Sequence, residues 1–492
     1  MSKKKREKQQ IHKKTGRISG FHNFLRPFII TFSVVLAAGL CLMAAYAWII
    51  APTKVEDHSH FQLTKEAIAM EDVEAQVSEI MDANDKYLDI LNDPEYMAEN
   101  NIYAKDAKNP DQITIAFAGD ILFDAQYAVM SAMLQNGGDI SAAIAPELIE
   151  EMQNADIMML NNEFPYSDRG TPTEGKQFTF RAKPSYVSYL DDLGVDLVSL
   201  ANNHAYDYGE AAFLDTLTTL EEAGITYVGA GRNLEEARRP VYYIIDNMKI
   251  AFVSATQIER LDNPDTKGAT DSSAGVFRCW NGDNLIETVK EAKENSDFVI
   301  VYLHWGTENE VNVDWAQEKQ APEVAAAGAD LIIGDHPHCL QNIEYIDDVP
   351  IIYSLGNFWF NSKTLDTGLF KVVYDADGNL KCQFIPAKQH DCRTDLETGA
   401  EKQRILDYMQ CISPNVTLDA EGNITNTPYT GPAINYAAVE RVPDPPATTT
   451  TITDPATGAS LLIDKKSGQV LDPVTGLPTG KFVDPATGAA IN

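Results

Sequence analysis

Short apolar runs alternate with amphipathic stretches over the middle of the chain, from Ile113 to about Pro386. In chain order the runs are ITIAFA, ADIMML, DLVSL, KIAFVSA, DFVIVYL, ADLIIG and PIIYSLG. They have the length of buried strands, whereas the stretches between them, such as Gly209 to Ala223 and Asn284 to Asn295, have the spacing of helices. This alternation predicts an α/β domain in which helices cover buried strands.

The N-terminal region contains an uncharged segment from Phe28 to Ala51. Its 24 residues suffice to span a bilayer, which needs about 20 apolar residues in a helix. A cleaved signal peptide is the alternative, but its apolar part is usually about 7–15 residues long. We expect one retained transmembrane helix. The Lys/Arg excess before it predicts a cytoplasmic N-terminus and an extracytoplasmic C-terminal domain.

Two flanking regions have their own patterns. Apolar residues between Leu63 and Leu91 recur at steps of three and four. They predict an amphipathic helix, either a stalk that pairs with a copy of itself or a helix packed on the domain. After the Pro/Thr-rich stretch from Arg441 to Thr451, a DPxTG-type unit recurs from Asp454 onwards. Asp, Pro and Gly in this order favour tight turns, so the repeats are either hairpin tips or part of a flexible acidic tail.

These patterns divide the chain into six segments. They are a basic cytoplasmic tail (1–27), a transmembrane helix (28–51), a juxtamembrane helical stalk (52–110), the α/β domain (111–415), a linker (416–452) and the turn repeats (453–492). The α/β segment contains the side chains whose types and positions suggest chemistry.

Composition narrows the range of functions. The chain has 39 basic and 72 acidic residues, a net charge of −33, so nucleic-acid binding through phosphate contacts is disfavoured. With 44% hydrophobic residues, wholesale disorder is excluded. Of six cysteines, Cys41 lies in the membrane segment, and the others lack the C-x-x-C spacing of metal sites. Cys392 and Cys411 either form a disulfide or stay free.

Polar side chains directly follow the first three apolar runs. Asp120 ends the first run, Glu163 follows the second, and Asn202, Asn203 and His204 follow the third. A lone acidic residue at such a position is more typical of a turn or helix cap than of a metal site. An amide beside an imidazole is harder to explain by packing, since the amide is a neutral metal ligand and the imidazole a general acid.

Later apolar runs end in a similar way. His304 follows the strand-like VIVYL, and His336 and His338 follow ADLIIG with one residue between them. The two closely spaced histidines are the strongest local signal, because both can reach one metal pair. Residues predicted to support these groups are Glu308 as an acceptor for His304, Gln341 in the turn after His338, and Asn357 after the last run.

These strand-end groups are predicted to meet. In open α/β sheets, sites are built outside the carboxyl ends of the strands. A mixture of carboxylate, amide oxygen and imidazole suits Mn²⁺, Fe²⁺ or Zn²⁺ better than Ca²⁺. We therefore expect one or two divalent metal ions, which would activate a water molecule and stabilise an oxyanion.

Six motifs occur in order: AGD, NNE, LANNH-x-x-DYG, H-W-G-x-E, G-x-HPH-x-x-Q and SLGNF. This set resembles the CapA-type capsule and poly-gamma-glutamate biosynthesis proteins over about Gln112 to Pro386. The resemblance implies a fold similar to the calcineurin-like metallophosphoesterases, a β-sandwich flanked by helices. It also implies a membrane-anchored, extracytoplasmic protein that helps to make, export or anchor a capsular polymer.

The similarity to metallophosphoesterases implies residue roles. His204 would be the catalytic acid or oxyanion-binding residue, with Asp120 and Glu163 as catalytic carboxylates. The implied metal ligands are Asp120, Glu163, Asn203, His304, His336 and His338. Arg181, in Phe178-Thr179-Phe180-Arg181, and Asn202 would bind substrate, with a surface salt bridge as the alternative for Arg181.

Two departures from the metallophosphoesterase pattern bear on the metal. The first motif there is usually Asp-x-His, whereas this chain has Asp120-Ile121-Leu122. The bridging group there is usually Asp, and here it is Glu163. One metal position is therefore expected to be weak or empty.

Two functions of different classes follow. The first is a metal-dependent hydrolase or transferase that acts on an envelope substrate. The second is a non-catalytic accessory protein of an envelope polymer synthase complex. Expected partners are an anionic envelope polymer or its precursor, synthase-complex proteins and the membrane, with no nucleic acid. The acidic ectodomain disfavours binding of a bare polyanion unless metal or Arg181 intervenes.

Overall fold

The computed structural model describes residues 86–258, 266–375 and 377–441, with strand residues between 449 and 491. The predicted basic tail, the membrane helix and most of the amphipathic segment from Leu63 lie outside the described residues. Within the described ranges, no helix is long and apolar enough to cross a bilayer. The membrane helix thus stays a prediction from the sequence.

Helices and strands alternate through most of the described chain. Helices α1–α11 are Leu88–Leu91, Pro94–Glu99, Ala128–Gln135, Pro146–Asn154, Ser188–Asp192, Gly209–Ala223, Leu234–Arg238, Asp283–Glu294, Trp315–Ala327, Gly399–Ile412 and Tyr436–Val439. Strands β1–β12 are Ile102–Lys105, Gln112–Ile121, Ile157–Asn162, Leu197–Ser199, Thr226–Val228, Ala230–Gly231, Val241–Ile245, Met248–Thr256, Gly275–Val276, Phe298–His304, Leu331–Asp335 and Ile343–Ile346. Strands β13–β24 are Val349–Ile352, Asn357–Trp359, Leu365–Asp375, Leu380–His390, Arg393–Leu396, Thr417–Leu418, Asn423–Thr425, Thr449–Thr453, Ser460–Asp464, Gln469–Leu471, Pro478–Val483 and Ala490–Ile491.

Two mixed sheets form the domain. Sheet A has seven strands in the order β1-β7-β8-β10-β11-β13-β12. Sheet B has ten strands, in the order β18-β19-β16-β15-β2-β3-β4-β5, with β14 paired to β2 and β17 to β16. Strands β8, β10 and β11 run parallel in sheet A, as do β2 to β5 in sheet B. The carboxyl ends of parallel neighbours share one edge of each sheet.

An apolar layer lies between the two sheets. Alternate residues of β2, namely Ile113, Ile115 and Phe117, belong to this layer together with Phe252 of β8 and Ile300 of β10. The opposite face of sheet B packs against α3, α4 and α6, and that of sheet A against α8 and α9. Alternation of side chains along each strand thus supplies both a sheet–sheet and a sheet–helix core. The predicted α/β class is confirmed, as a two-sheet sandwich flanked by helices.

The folded domain extends beyond the expected 111–415. Strand β1 pairs in parallel with β7, and the Tyr87 hydroxyl donates to Asp297 at 2.7 Å. The described end of the expected stalk therefore packs on the domain. At the other end, β18 and β19 continue sheet B, so the first part of the expected linker also belongs to the domain.

Strands β20–β24 form a distinct five-stranded antiparallel sheet. Its small buried cluster contains Ile463, Val470 and Val483. This arrangement agrees with the hairpin interpretation, although most residues of the DPxTG turns lie outside the described part of the chain. The five cysteines after Cys41 are free thiols, so Cys392 and Cys411 are not joined in a disulfide.

Candidate metal centre

The expected site residues meet where the parallel strands of both sheets end. Asp120, near the end of β2, is in register with Asn161 on β3. His304, at the end of β10, is in register with Asp335 on β11. Loops directly after the strands add Glu163, Asn202, Asn203, His204, His336 and His338. Apart from the partly exposed His338, all of these residues are buried.

Donor atoms converge around Nε2 of His304. Oδ1 of Asn203 lies 2.7 Å from it, Nδ1 of His336 lies 3.0 Å away and Oε1 of Glu163 3.7 Å away. Burial lowers the pKa of His304 to about 3, so the ring is neutral and has one proton. A tautomer with the proton on Nδ1, which lies 2.8 Å from Oδ1 of Asp335, would direct the lone pair of Nε2 at the other donors, as cation binding requires.

A second group lies around Asp120. Donor atoms of Asp120, Glu163 and His338 lie within 4.8 Å of one another. Nδ1 of His338 donates to Oδ2 of Asp120 at 3.0 Å and to Oδ1 of Asn357 at 2.8 Å. Burial opposes protonation of His338, but the Asp120 carboxylate outweighs it and raises the pKa of His338. The contact with Asp120 thus favours the charged form of the imidazole.

Two central carboxyl groups have oxygens without a hydrogen-bond partner among the described residues. The oxygens without a partner are Oε1 and Oε2 of Glu163 and Oδ2 of Asp335, and all three are buried. Burial raises the pKa of both groups well above the usual range, and the nearby charge of Asp120 adds to the effect. A buried carboxylate without partners is costly. A divalent metal ion fits the site, since the surrounding donors are carboxylate, amide oxygen and imidazole.

Asp335 and Asn161 belong to this centre although the sequence analysis did not select them. Donor atoms of Asp335, Asp120 and His304 form a third group within 4.8 Å. Asn161 donates to Oδ1 of Asp120 at 2.8 Å, and its own Oδ1 accepts from Asn202 at 2.9 Å. Asp335 is the last residue of β11 and Asn161 the last but one of β3, so the strand-end criterion applied to every polar residue would have found them.

The loop after β11 holds two histidines in a backbone conformation that is uncommon for residues other than glycine. The φ angles of His336 and His338 are 95° and 57°. Such conformations cost about 1–3 kcal/mol each and occur mainly at functional sites. A close backbone contact supports the same region, since a Cβ on Gly119 would lie 1.9 Å from the carbonyl oxygen of Gly356. Glycine here lets Asp120 and Asn357 approach His338.

A buried polar chain orients His204. Its Nδ1 lies 2.7 Å from Oδ2 of Asp207. Asp207 also accepts from the main-chain N–H of Phe180 at 2.8 Å and from Nζ of Lys176 at 2.5 Å. Burial raises the pKa of Asp207 to about 7 although Lys176 opposes the shift, and burial lowers the pKa of His204. Nε2 of His204 lies 3.8 Å from Oε1 of Glu163, facing the metal ligands.

The two residues expected to bind substrate, Asn202 and Arg181, differ in the contacts that their side chains make within the protein. Asn202 donates to Asn161 at 2.9 Å and accepts from the main-chain N–H of His204 at 3.0 Å. Its side chain therefore holds strand ends in place. The guanidinium of Arg181 stacks over the ring of Tyr208, 4.2 Å from its centroid. It makes no ion pair within the described residues, so its charge is available to an anionic ligand.

The three expected supporting residues have different surroundings. Glu308 is exposed. The carboxyl group that contacts His304 is that of Asp335, where Glu308 was expected. Gln341 is buried and accepts from Gln317 of α9 at 2.8 Å. Its amide donates to a main-chain carbonyl of the loop after β10 at 2.9 Å, so it ties that loop to the helix. Asn357 contacts the metal-ligand candidate His338 directly.

Leu122 stands where the resemblance leads us to expect histidine. Its side chain is buried in the apolar layer between sheet B and the helices. Its main-chain N–H donates to the carbonyl of Trp359 at 3.0 Å. The Asp120 group thus receives no imidazole from this strand.

Removal of the Glu163 carboxylate should have opposite effects on thermal stability in the absence and in the presence of metal. In chelator, Glu163→Gln should unfold at the same temperature as the parent or higher, because it removes a buried carboxylate without a partner. With Mn²⁺ at 100 times its Kd, the parent should gain about 2.7 kcal/mol. The variant should gain far less, since a ligand is lost. Scanning calorimetry measures both effects.

Glu151→Gln is the matched control, because Glu151 lies on α4 and pairs with Lys371 at 3.1 Å, away from the centre. It should respond to Mn²⁺ as the parent does. Equal stabilisation of Glu163→Gln and the parent by Mn²⁺ would contradict a metal ion at Glu163.

Two solved structures align with part of the chain. The 5′-nucleotidase from Candida albicans SC5314 covers 56% of this chain and 52% of its own, with a TM-score of 0.33 and 13% identity. The protein TT1561 of Thermus thermophilus covers 56% of this chain and 99% of its own, with a TM-score of 0.31 and 9% identity.

Sequence comparisons give closer relatives. The chain is 28% identical over 307 residues to the capsule biosynthesis protein CapA of Bacillus anthracis, which covers 60% of this chain and 72% of that protein. It is 29% identical over 288 residues to the PGA biosynthesis protein CapA of Bacillus subtilis (strain 168), covering 57% and 73%. The family model described as bacterial capsule synthesis protein PGA_cap matches residues 114–362, a range that includes all six motifs. The chain therefore belongs to the PGA_cap (CapA) family of capsule and poly-gamma-glutamate biosynthesis proteins.

Proposed function

We propose that this chain is a metal-dependent hydrolase or transferase that acts on a phosphoester or an amide of an envelope substrate. The arrangement around Glu163 carries the proposal. Nε2 of His304 lies 3.7 Å from its Oε1, and Nε2 of His204 lies 3.8 Å from the same oxygen. The first imidazole belongs to a ligand set, whereas the second is paired with Asp207 for proton transfer. A purely structural metal site has no need of the second imidazole.

Different residues of the chain would bind the metal ion and transfer the proton. When bound, a divalent cation supplies Lewis-acid stabilisation of the oxygen that gains charge. Residues that would hold it are Glu163, Asn203, His304 and His336. Asp207 fixes the Nδ1 side of His204, so a proton is held or released at Nε2, toward the leaving group. An anionic substrate would raise the pKa of His204 and favour the protonated form that a general acid needs.

The proposed substrate is an anionic envelope polymer or its precursor. A net charge of −33 repels polyanions over most of the surface, so attraction must be local. A cation in the centre and the guanidinium of Arg181 would provide it, since Arg binds carboxylate or phosphate through paired hydrogen bonds. Substrate binding is therefore expected to depend on metal.

We also propose a single-pass location in the cell membrane, with proteins of a polymer synthase complex as partners. The support is the uncharged segment 28–51 and the preceding excess of Lys and Arg. An envelope location agrees with the capsule and PGA biosynthesis named in the relatives.

A non-catalytic accessory role is the second candidate, and Leu122 favours it. Its side chain is buried in an apolar layer, so the Asp120 group has fewer imidazole ligands than the resemblance implies. One ion would then serve to fix the loops, while the protein holds a synthase complex or nascent polymer at the membrane. Polymer retention would in that case survive the loss of His204.

If the chain is an enzyme as proposed, the variant His204→Asn should lose activity but keep its metal. The kcat for hydrolysis of bis(p-nitrophenyl) phosphate with Mn²⁺ should fall by about 10²–10⁴-fold, as expected for loss of a general acid. Metal content should stay at the parental value, because His204 is not a ligand in this account. Steady-state kinetics and elemental analysis measure the two quantities.

His390→Asn is the matched control, since His390 lies on β16 and contacts Asp395 at 2.9 Å. It should keep parental kcat and metal content. Full activity in His204→Asn would exclude the assigned role. A metal-loaded parent that hydrolyses neither this ester nor an envelope substrate would favour the accessory role.

The proposed topology predicts the pattern of proteolysis on intact cells. Protease added outside should cut the chain after residue 52 and leave a short N-terminal fragment in the membrane. Immunoblotting with tags at the two termini distinguishes the fragments. Full protection of the domain in intact cells, with cleavage only after lysis, would contradict the orientation.

A further inference from the structure

The Asp120 side of the centre is short of one ligand. Leu122 is packed in the apolar layer behind sheet B and cannot reach it. The remaining donors of this group are Asp120, Glu163 and His338. A cation held by these three alone would be weakly bound, because most transition-metal sites have at least four ligands.

Asp335 approaches Asp120 from the opposite sheet. Its register with His304 places it at the end of β11, and one of its donor atoms lies within 4.8 Å of a carboxylate oxygen of Asp120. The side chain is fully buried. Oδ1 lies 2.8 Å from Nδ1 of His304, whereas Oδ2 has no hydrogen-bond partner among the described residues.

A purely orienting role does not account for Oδ2. An acceptor for the His304 N–H needs only one oxygen, and an amide or main-chain carbonyl would suffice. The nearby hydroxyl of Tyr302 donates to the carbonyl of Ala118 at 3.0 Å. A second, buried and unpaired carboxylate oxygen is destabilising in the absence of a cation.

We propose that Asp335 replaces the missing histidine and uses Oδ2 to bind a second divalent cation together with Asp120, Glu163 and His338. Oδ1 meanwhile keeps His304 directed at the first cation. This inference rests on the proposed metal centre. The two positions then differ in chemistry: the first is rich in imidazole, and the second has three carboxylates and suits a harder ion such as Mn²⁺ or Mg²⁺.

The test compares the Mn²⁺ content of the full chain in detergent with that of Asp335→Asn. The amide keeps an oxygen for the His304 N–H but puts an NH₂ group in the place of Oδ2. We expect about two ions per chain in the parent and about one in the variant. Electron paramagnetic resonance should show a coupled Mn²⁺ pair in the parent and an isolated ion in the variant.

Asp156→Asn is the control, because Asp156 is also a buried carboxylate. It accepts from the N–H groups of Lys108 at 2.6 Å and Thr114 at 2.7 Å, near the start of β2. It should keep both ions. If circular dichroism shows that Asp335→Asn does not fold, Asp335→Ser replaces it with the same expected loss.

The outcomes separate this inference from the proposed function. Two ions in both the parent and Asp335→Asn would overturn the role of Asp335 and leave the metal centre intact. One ion in both proteins would do the same. A parent without any bound ion would overturn the metal centre itself.

Discussion

The balance of charge at Glu163 is the constraint on which the centre depends. Its carboxylate lies where the two sheets end, and neither oxygen has a hydrogen-bond partner among the described residues. Asp120 and Asp335 add further carboxyl groups, while the nearest imidazole, His304, is kept neutral by burial. Positive charge is required to stabilise this set, and a divalent cation supplies it with ligands of the right type.

The architecture explains why these groups meet. Sheet B provides Asp120 near the end of β2 and Glu163 directly after the neighbouring parallel strand β3, and sheet A provides His304 and Asp335 in register. Because the sheets pack face to face across an apolar layer, their carboxyl ends lie side by side. Strained backbone at His336 then brings the last imidazole to Nε2 of His304. The strand ends and the loops directly after them thus fix the ligands, as a preorganised site requires.

Much of the centre could be predicted because a polar side chain directly after a buried run has no place in the core. This reasoning found Asp120, Glu163 and His304. Asp335 was not predicted, because the two histidines that follow it are the stronger signal of a metal site. The contact of Lys176 with Asp207 could not be predicted, because the two residues are 31 positions apart in the sequence. Contacts between distant loops leave no local pattern in the sequence.

The domain boundaries were also harder to predict than the core. Strand β1 has four residues and β18 has two, which is too short for a periodic pattern. Both are defined by pairing with a neighbour in the folded sheet. The strands that were predicted correctly, such as β10, are buried along their whole length, so their apolar runs are visible without any knowledge of partners.

Anomalous X-ray diffraction from crystals grown with Mn²⁺ tests the central claim most directly. The account predicts a strong peak about 2.0–2.3 Å from Nε2 of His304 and from a carboxylate oxygen of Glu163, which are ordinary coordination distances. A map with no peak between these residues, or with peaks only on the acidic surface, would contradict it.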